Sequence, residues 1–232
     1  MAEHDRLNNA TRSDQFIKAE IKLYYDLYVP PAAGGDPPPL LIAVHGYGAH
    51  KRYMMREAAA VAPDHFVIAS IEGPHQHFRQ TEGGLKVGFG WLTDHRSAES
   101  IALHHRFVLD LISVLASEKT IDPSRVFLFG FSQACALNFR FAFTYPDAAS
   151  AIVAIAGGIP GDLETNPSYG APAAATLYLY GNDDEFYSNE RFVEFDQKLR
   201  SRLPNFSSRQ FTAKHEITDE MREVVREFLR DK

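Results

Sequence analysis

The sequence predicts an α/β fold, a mostly parallel central sheet with helices on both faces. Three observations lead there. The runs at 40–48 (LLIAVHGYG), 65–72 (HFVIASIE), 125–130 (RVFLFG), 151–158 (AIVAIAGG) and 175–181 (ATLYLYG) begin as continuous apolar segments rather than alternating ones. Continuous apolarity marks strands buried on both faces. Segments with helical apolar spacing lie between them, and strands alternating with helices build a parallel sheet. The chain has 232 residues, 45% hydrophobic and 23% charged, which suits a soluble globular protein able to bury its own core without a disulfide or metal staple.

Element by element, 17–30 (IKAEIKLYYDLYVP) is rich in branched and aromatic residues and reads as one or two early strands. The proline-rich stretch 30–39 is a turn too short to join two domains. A helix is expected near 50–62. Residues 73–96, rich in Gly and His without periodicity, read as a long functional loop. The helix over 97–117 places Ile101, Val108, Leu111, Ile112 and Leu115 on one stripe, and FSSRQFTAK (206–214) is the last strand. The final helix sets Met221, Val224, Val225, Phe228 and Leu229 on one face, with Asp219 and Glu220 favouring its N-terminus through the helix dipole. The organisation expected is a flexible N-terminal segment, 1–14, before a single domain over 15–232.

Composition narrows the function classes. Cys135 is the single cysteine, so no internal disulfide forms and a reducing, cytoplasmic compartment is expected. The polar N-terminus lacks a signal-peptide core. No apolar run is read as reaching the length of a membrane span. A net charge of −6 argues against nucleic acid and anionic membranes as partners. Oligomeric state is not readable from sequence.

In a parallel sheet, ligands gather at the carboxyl ends of the strands. Ser132 follows the strand VFLFG, Asp183 and Asp184 follow LYLYGN, and His215 follows the last strand. Serine, acid, histidine is the chain order of α/β-hydrolases. Ser132 has small residues two positions away on each side, Gly130 and Ala134. A nucleophile held in a sharp strand-to-helix turn needs that spacing, because larger side chains would collide there. The plainer role for Ser132 is a helix cap. The turn HGYG (45–48) offers the Tyr47 amide, and the residue after the serine offers that of Gln133, as an oxyanion hole; acyl transfer needs such donors already in place. Read plainly, HGYG is a tight turn.

His75 and His77 form an H-x-H pair without a well-spaced third ligand, so no metal site is expected; a metal-dependent rival would have to add His45. His104 and His105 on a helix read as packing residues, and Cys135 as a small core residue.

Together, IDPSRVFLFGFSQA (121–134), VHGYG (44–48), GNDDEF (181–186) and KHEITDE (214–220) resemble the phospholipase/carboxylesterase family, which includes the acyl-protein thioesterases. The most specific part is the Arg-x-x-x-x-Gly-Phe-Ser-Gln run from Arg125 to Gln133. The resemblance implies a serine hydrolase without cofactor, with Ser132, Asp184 and His215 as catalytic residues. It favours Asp184 over Asp183 because the family's acid lies three residues after the glycine. It also implies an aromatic segment, FGWLTD (89–94), in which Trp91, with Phe89 and Tyr47, would contact substrate. For Trp91 a role plugging the loop against the core competes. Two departures stand out: Ala134 where the family usually has glycine, and Glu185 where it usually has proline. The expected partner is a small-molecule ester or thioester. A catalytically silent small-molecule binder on the same fold is the alternative.

Overall fold

The computed structural model describes residues 12–31, 36–230 and 232. Among these, the elements run β1 (Tyr25–Tyr28), β2 (Leu40–Val44), α1 (Lys51–Val61), β3 (Val67–Ile71), β4 (His75–Thr81), β5 (Gly84–Gly90) and α2 (Ser97–Ser117). They continue with β6 (Val126–Phe131), α3 (Gln133–Thr144), β7 (Ala151–Ile155), β8 (Ala175–Gly181), α4 (Asn189–Arg202), β9 (Phe206–Phe211) and α5 (Asp219–Arg230). Seven strands form one sheet in the order β1-β3-β2-β6-β7-β8-β9. Only β1 is antiparallel to its neighbour; β2, β3 and β6 to β9 pair in parallel. Most of the N-terminal segment read as flexible lies outside the described residues, as do 32–35 of the proline-rich turn.

Strands β2, β3 and β7 are buried at every position, which is why they read as apolar runs. Alternate residues face opposite layers. Leu41, Ala43, Ile68, Phe129 and Leu179 meet Met54, Met221, Val225 and Leu229 of α1 and α5 on one side. On the other side Leu40, Ile42, Val44 and Leu128 meet Phe107, Val108, Leu111 and Leu137 of α2 and α3, while Tyr178 and Ile152 meet Phe192 and Leu199 of α4. The guanidinium of Arg222 on α5 donates to both oxygens of Glu57 on α1, at 2.8 and 3.1 Å, tying the two helices of one layer together.

Two expectations change. Residues 75–90 form a hairpin, β4–β5, in register from His75↔Gly90 to Thr81↔Gly84. The turn at Gly83 and Gly84 and the alternation of Phe78, Leu85, Val87 and Phe89 were its signal. That face points outward, Phe78 being 75% exposed, so no apolar core pattern accompanied it. Helix α2 is, by length and composition, apolar enough to cross a membrane, contrary to the expectation that no run reaches that length. It packs His104, His105, Phe107, Val108, Leu111 and Leu115 inward.

Trp91, expected to contact substrate, is 1% exposed and sits in this core. Its ring lies 5.1 Å from His45 and 5.3 Å from His104, and His104 is in turn 5.8 Å from His105. Its indole N–H donates to the His45 carbonyl at 2.8 Å. Trp91→Ala is expected to cost about 3–5 kcal/mol of stability, read as a lowered urea midpoint, with loss of any activity following unfolding. The histidines of this cluster are held neutral. Burial pushes His45 to about 4, His104 to about 3 and His105 to about 4. The unfolded chain binds these protons near pH ~6.5 while the fold refuses them. Stability from this source is therefore complete above pH ~6.5 and lost as pH falls toward the folded-state values, by up to ~1.4 kcal/mol per unit for each histidine. Both ring nitrogens of His104 are buried without a partner among the described residues. His104→Leu should flatten the slope of unfolding free energy between about pH 7 and about pH 5; an unchanged slope would contradict the assignment.

Candidate active site

The strand-to-helix turn between β6 and α3 holds Ser132 at φ 57°, ψ −121°. A positive φ in a residue with a side chain is strained. The strain is held from both sides. The Ser132 N–H donates to the Ile155 carbonyl at 2.9 Å, and the Ser132 carbonyl accepts from Cys135 N–H at 3.0 Å. No side-chain capping bond forms at Ser132, which leaves its hydroxyl for the site rather than the helix. Gly130 and Ala134 face each other across the turn: a Cβ on Gly130 would lie 2.7 Å from Asn138 Nδ2 and 3.4 Å from Ala134 Cβ. A second glycine, Gly157 after β7, carries no local sequence signal of its role. A Cβ there would stand 2.2 Å from the Ser132 carbonyl oxygen.

Ser132 Oγ lies 2.8 Å from His215 Nε2, and His215 Nδ1 lies 2.7 Å from Asp184 Oδ2. With Nδ1–H donating to the carboxylate, Nε2 carries the lone pair that faces the hydroxyl. The Asp184 side chain is 0% exposed. Its other oxygen accepts from the Phe186 and Tyr187 amides at 2.8 and 3.0 Å, so the carboxylate is fixed at both ends and the buried charge is compensated. Asp183 is exposed, and its amide pairs with the Ala213 carbonyl. The imidazole of His215 lies between Phe131 and Phe186, at 5.0 and 4.6 Å. Its backbone N–H donates to Glu185 Oε2 at 3.0 Å, so the residue that departs from the family pattern holds the histidine's main chain.

Among the described residues, the amides of Tyr47 and Gln133 donate to no backbone carbonyl. Both residues line a cavity of about 650 Å³ together with Ser132 and His215. The Tyr47 ring is exposed and stacks on His77 at 4.6 Å. Beneath the turn, His45 is fully buried. Its Nδ1–H donates to the Gly46 carbonyl at 2.7 Å, and its Nε2 accepts from Gly73 N–H at 2.9 Å. Both nitrogens are thereby used, and the ring stays neutral at neutral pH. The Gln133 side chain accepts from Trp91 N–H at 3.0 Å and donates to the Leu92 carbonyl at 2.9 Å, anchoring the segment that forms one wall of the cavity.

Of the residues expected to contact substrate, only Tyr47 reaches the cavity. Trp91 lies beneath it, with its indole committed to His45. Phe89 pairs through its backbone with Gly48 and Ala49, and its ring turns to a separate cavity of about 310 Å³ beside Ile21 and Tyr24. The backbone pairing of Phe89 with the Gly48–Ala49 turn fixes its position, a contact between distant segments that a loop reading could not anticipate. Leu92, Leu137, Phe186 and Tyr187 line the cavity instead. His75 pairs with Ser100 Oγ at 3.2 Å, and no group of three or more metal-binding side chains assembles among the described residues. Burial pushes the Cys135 thiol up to about 12, consistent with a core residue.

Known proteins share this arrangement of elements. Esterase PE8 superposes with a TM-score of 0.70 at 22% identity, over 91% of this chain and 99% of its own. The Bacillus cereus carboxylesterase gives 0.69 at 16% identity, over 100% and 99%. Zea mays acyl-protein thioesterase 2 gives 0.69 at 15% identity, over 90% and 98%. These likenesses establish the α/β-hydrolase fold. Comparison with curated proteins gives no match. The profile of the phospholipase/carboxylesterase family matches residues 32–232, and on that match the chain belongs to the phospholipase/carboxylesterase family.

Proposed function

We infer that the protein is a serine esterase that hydrolyses carboxylic esters or thioesters of small or medium size through an acyl-enzyme. The observation that carries this reading is the hydrogen-bonded chain Ser132–His215–Asp184, at 2.8 and 2.7 Å, opening on a cavity with two unused amides. In the reaction Ser132 Oγ attacks the carbonyl carbon while its proton passes to His215 Nε2. The Asp184 carboxylate stabilises the imidazolium and keeps its tautomer. The oxyanion is received by the Tyr47 and Gln133 amides. Collapse breaks the bond to the alcohol or thiol, which leaves with the proton from His215. Water then attacks the acyl-enzyme with His215 as base, releasing the acid and restoring Ser132.

The ester and thioester alternatives both find support in the known relatives of the fold, a carboxylesterase and an acyl-protein thioesterase. The apolar side chains Leu92, Leu137 and Phe186 around the cavity suit an acyl or alkyl group. A reducing compartment such as the cytoplasm suits the single, buried thiol of Cys135.

A fluorophosphonate should add one label to the native protein and none to Ser132→Ala; a label persisting in the variant, read by mass spectrometry, would defeat the nucleophile assignment. Turnover of chromogenic esters separates the enzyme from a silent binder on the same fold. Asp184→Asn should lower kcat by up to about 10⁴, because the carboxylate no longer holds the imidazole. Asp183→Asn should cost far less, and the reverse ranking would show the wrong neighbour to be the acid.

A further inference from the structure

One wall of the cavity beside Ser132 is a face of α3. Gln133, Ala136, Leu137 and Arg140 all line the cavity, at the i, i+3, i+4, i+7 spacing of a single helical stripe. The stripe is apolar in its middle and cationic at its end. Eight residues at 1.5 Å rise set the Arg140 backbone roughly 12 Å along the axis from Ser132. Leu92 and Ile101 complete the apolar stretch between them.

Arg140 is largely withdrawn from solvent, its side chain being 19% exposed. Its Nη1 donates to Asp162 Oδ1 at 2.5 Å and to the Tyr169 hydroxyl at 2.8 Å. Asp162 is held in turn by Asn166 Nδ2 at 3.0 Å. A guanidinium carries five N–H donors in a rigid fork. Both bonds fall on one nitrogen, and Nε and Nη2 donate to no acceptor among the described residues. Arginine–carboxylate pairs are frequently bidentate, but the pair with Asp162 uses Nη1 alone. Here one edge is fixed by the protein and the other is left over. A second cavity, of about 680 Å³, shares only Ile101 and Arg140 with the first, so Arg140 stands at the junction of the two. Asp94 also lines the first cavity, but at its exposed rim, where solvent screens it.

We propose that Arg140 selects substrates that carry an anionic group, such as a carboxylate, at the far end of the chain from the scissile ester. The free edge of the guanidinium receives the anion side-on, while Asp162 and Tyr169 engage the opposite edge through Nη1. Arg140 is thus a specificity-determining residue for an ester with an apolar spacer and a distal charge. This rests on the esterase reading of Ser132. The anion can belong to the acyl part or to the leaving alcohol, and the chemistry at Arg140 is the same for both.

The test compares matched pairs of esters on the native protein. For the acyl part the pair is mono-p-nitrophenyl suberate against p-nitrophenyl octanoate. For the alcohol part it is the butyryl ester of ω-hydroxyhexanoate against hexyl butyrate. In one pair the charged ester should have the higher kcat/KM by about tenfold or more, the scale of one charge-assisted hydrogen bond at a desolvated site. Which pair shows it assigns the groove to the acyl or the alcohol side. Arg140→Gln should bring that ratio to about one, and Arg140→Lys should keep part of it, since the charge remains without the fork. Asp162→Asn should preserve the ratio, whereas a purely structural Arg140 would make the two variants equivalent. Each ratio is measured on one sample, so a partly unfolded variant still reports it. A neutral ester turned over with no preference for its charged partner in either pair, or a preference that survives Arg140→Gln, overturns the role of Arg140 alone. Absence of turnover with every ester overturns the esterase reading beneath it.

Discussion

The site depends on one strained residue and on what holds it. Ser132 occupies a backbone conformation that costs on the order of 1–3 kcal/mol, and the sheet supplies the constraint. The parallel register that sets Phe131 opposite Ile155 brings the Ile155 carbonyl to the Ser132 amide. Gly157 then lets the next turn of chain pass directly against the serine's own carbonyl. The apolar strands are therefore more than a core. Their pairing fixes the backbone from which the hydroxyl projects, and residues distant from the chemistry, Gly130 and Gly157, are tied to it by contact distance.

Burial decides what each polar group beside that turn can do. His45 and His215 share a side chain and part company through their surroundings. His45 has both ring nitrogens committed to backbone groups and is pushed to about 4 by burial, so it is a fixed neutral strut beneath the Gly46 turn. His215 has one nitrogen on a desolvated carboxylate and the other on a hydroxyl that opens to the cavity. The Asp184 side chain occupies a fully enclosed position, where two backbone amides and an imidazole N–H satisfy its oxygens, while Asp183 turns to solvent. A single residue of displacement along the chain separates a structural turn residue from one coupled to the serine.

The same logic shapes the cavity. Its floor is formed by Trp91, whose indole holds the His45 carbonyl and whose amide meets Gln133, while its lining comes from residues on six separate segments. Helix α3 links the strained turn to Arg140 along one stripe, so the distance from the serine to that charge is set by a single element. A rigid helix makes that distance a property of the fold rather than of a mobile loop.

The sequence by itself determined the sheet and the order in which Ser132, Asp184 and His215 follow its strands. Continuous apolar runs have one stable home, between two helical layers, and the small residues flanking Ser132 report a backbone constraint that acts within a few residues. Those signals are local, as is the helical spacing of Val225 and Leu229. Only the tertiary structure decided which aromatics line the cavity. Trp91 and Phe89 lie in a Gly-rich stretch whose hairpin turns its apolar face to solvent, so periodicity carried no inward signal there. Phe89 was placed by pairing with Ala49 of the Tyr47 turn, a contact between segments about 40 residues apart, and Trp91 by its bonds to Gln133 and His45. Glu185 under His215, Gly157 beneath Ser132 and Arg140 at the end of the groove were equally invisible, because their roles are distances between distant parts of the chain. Such distances exist only once the sheet has brought its carboxyl ends together.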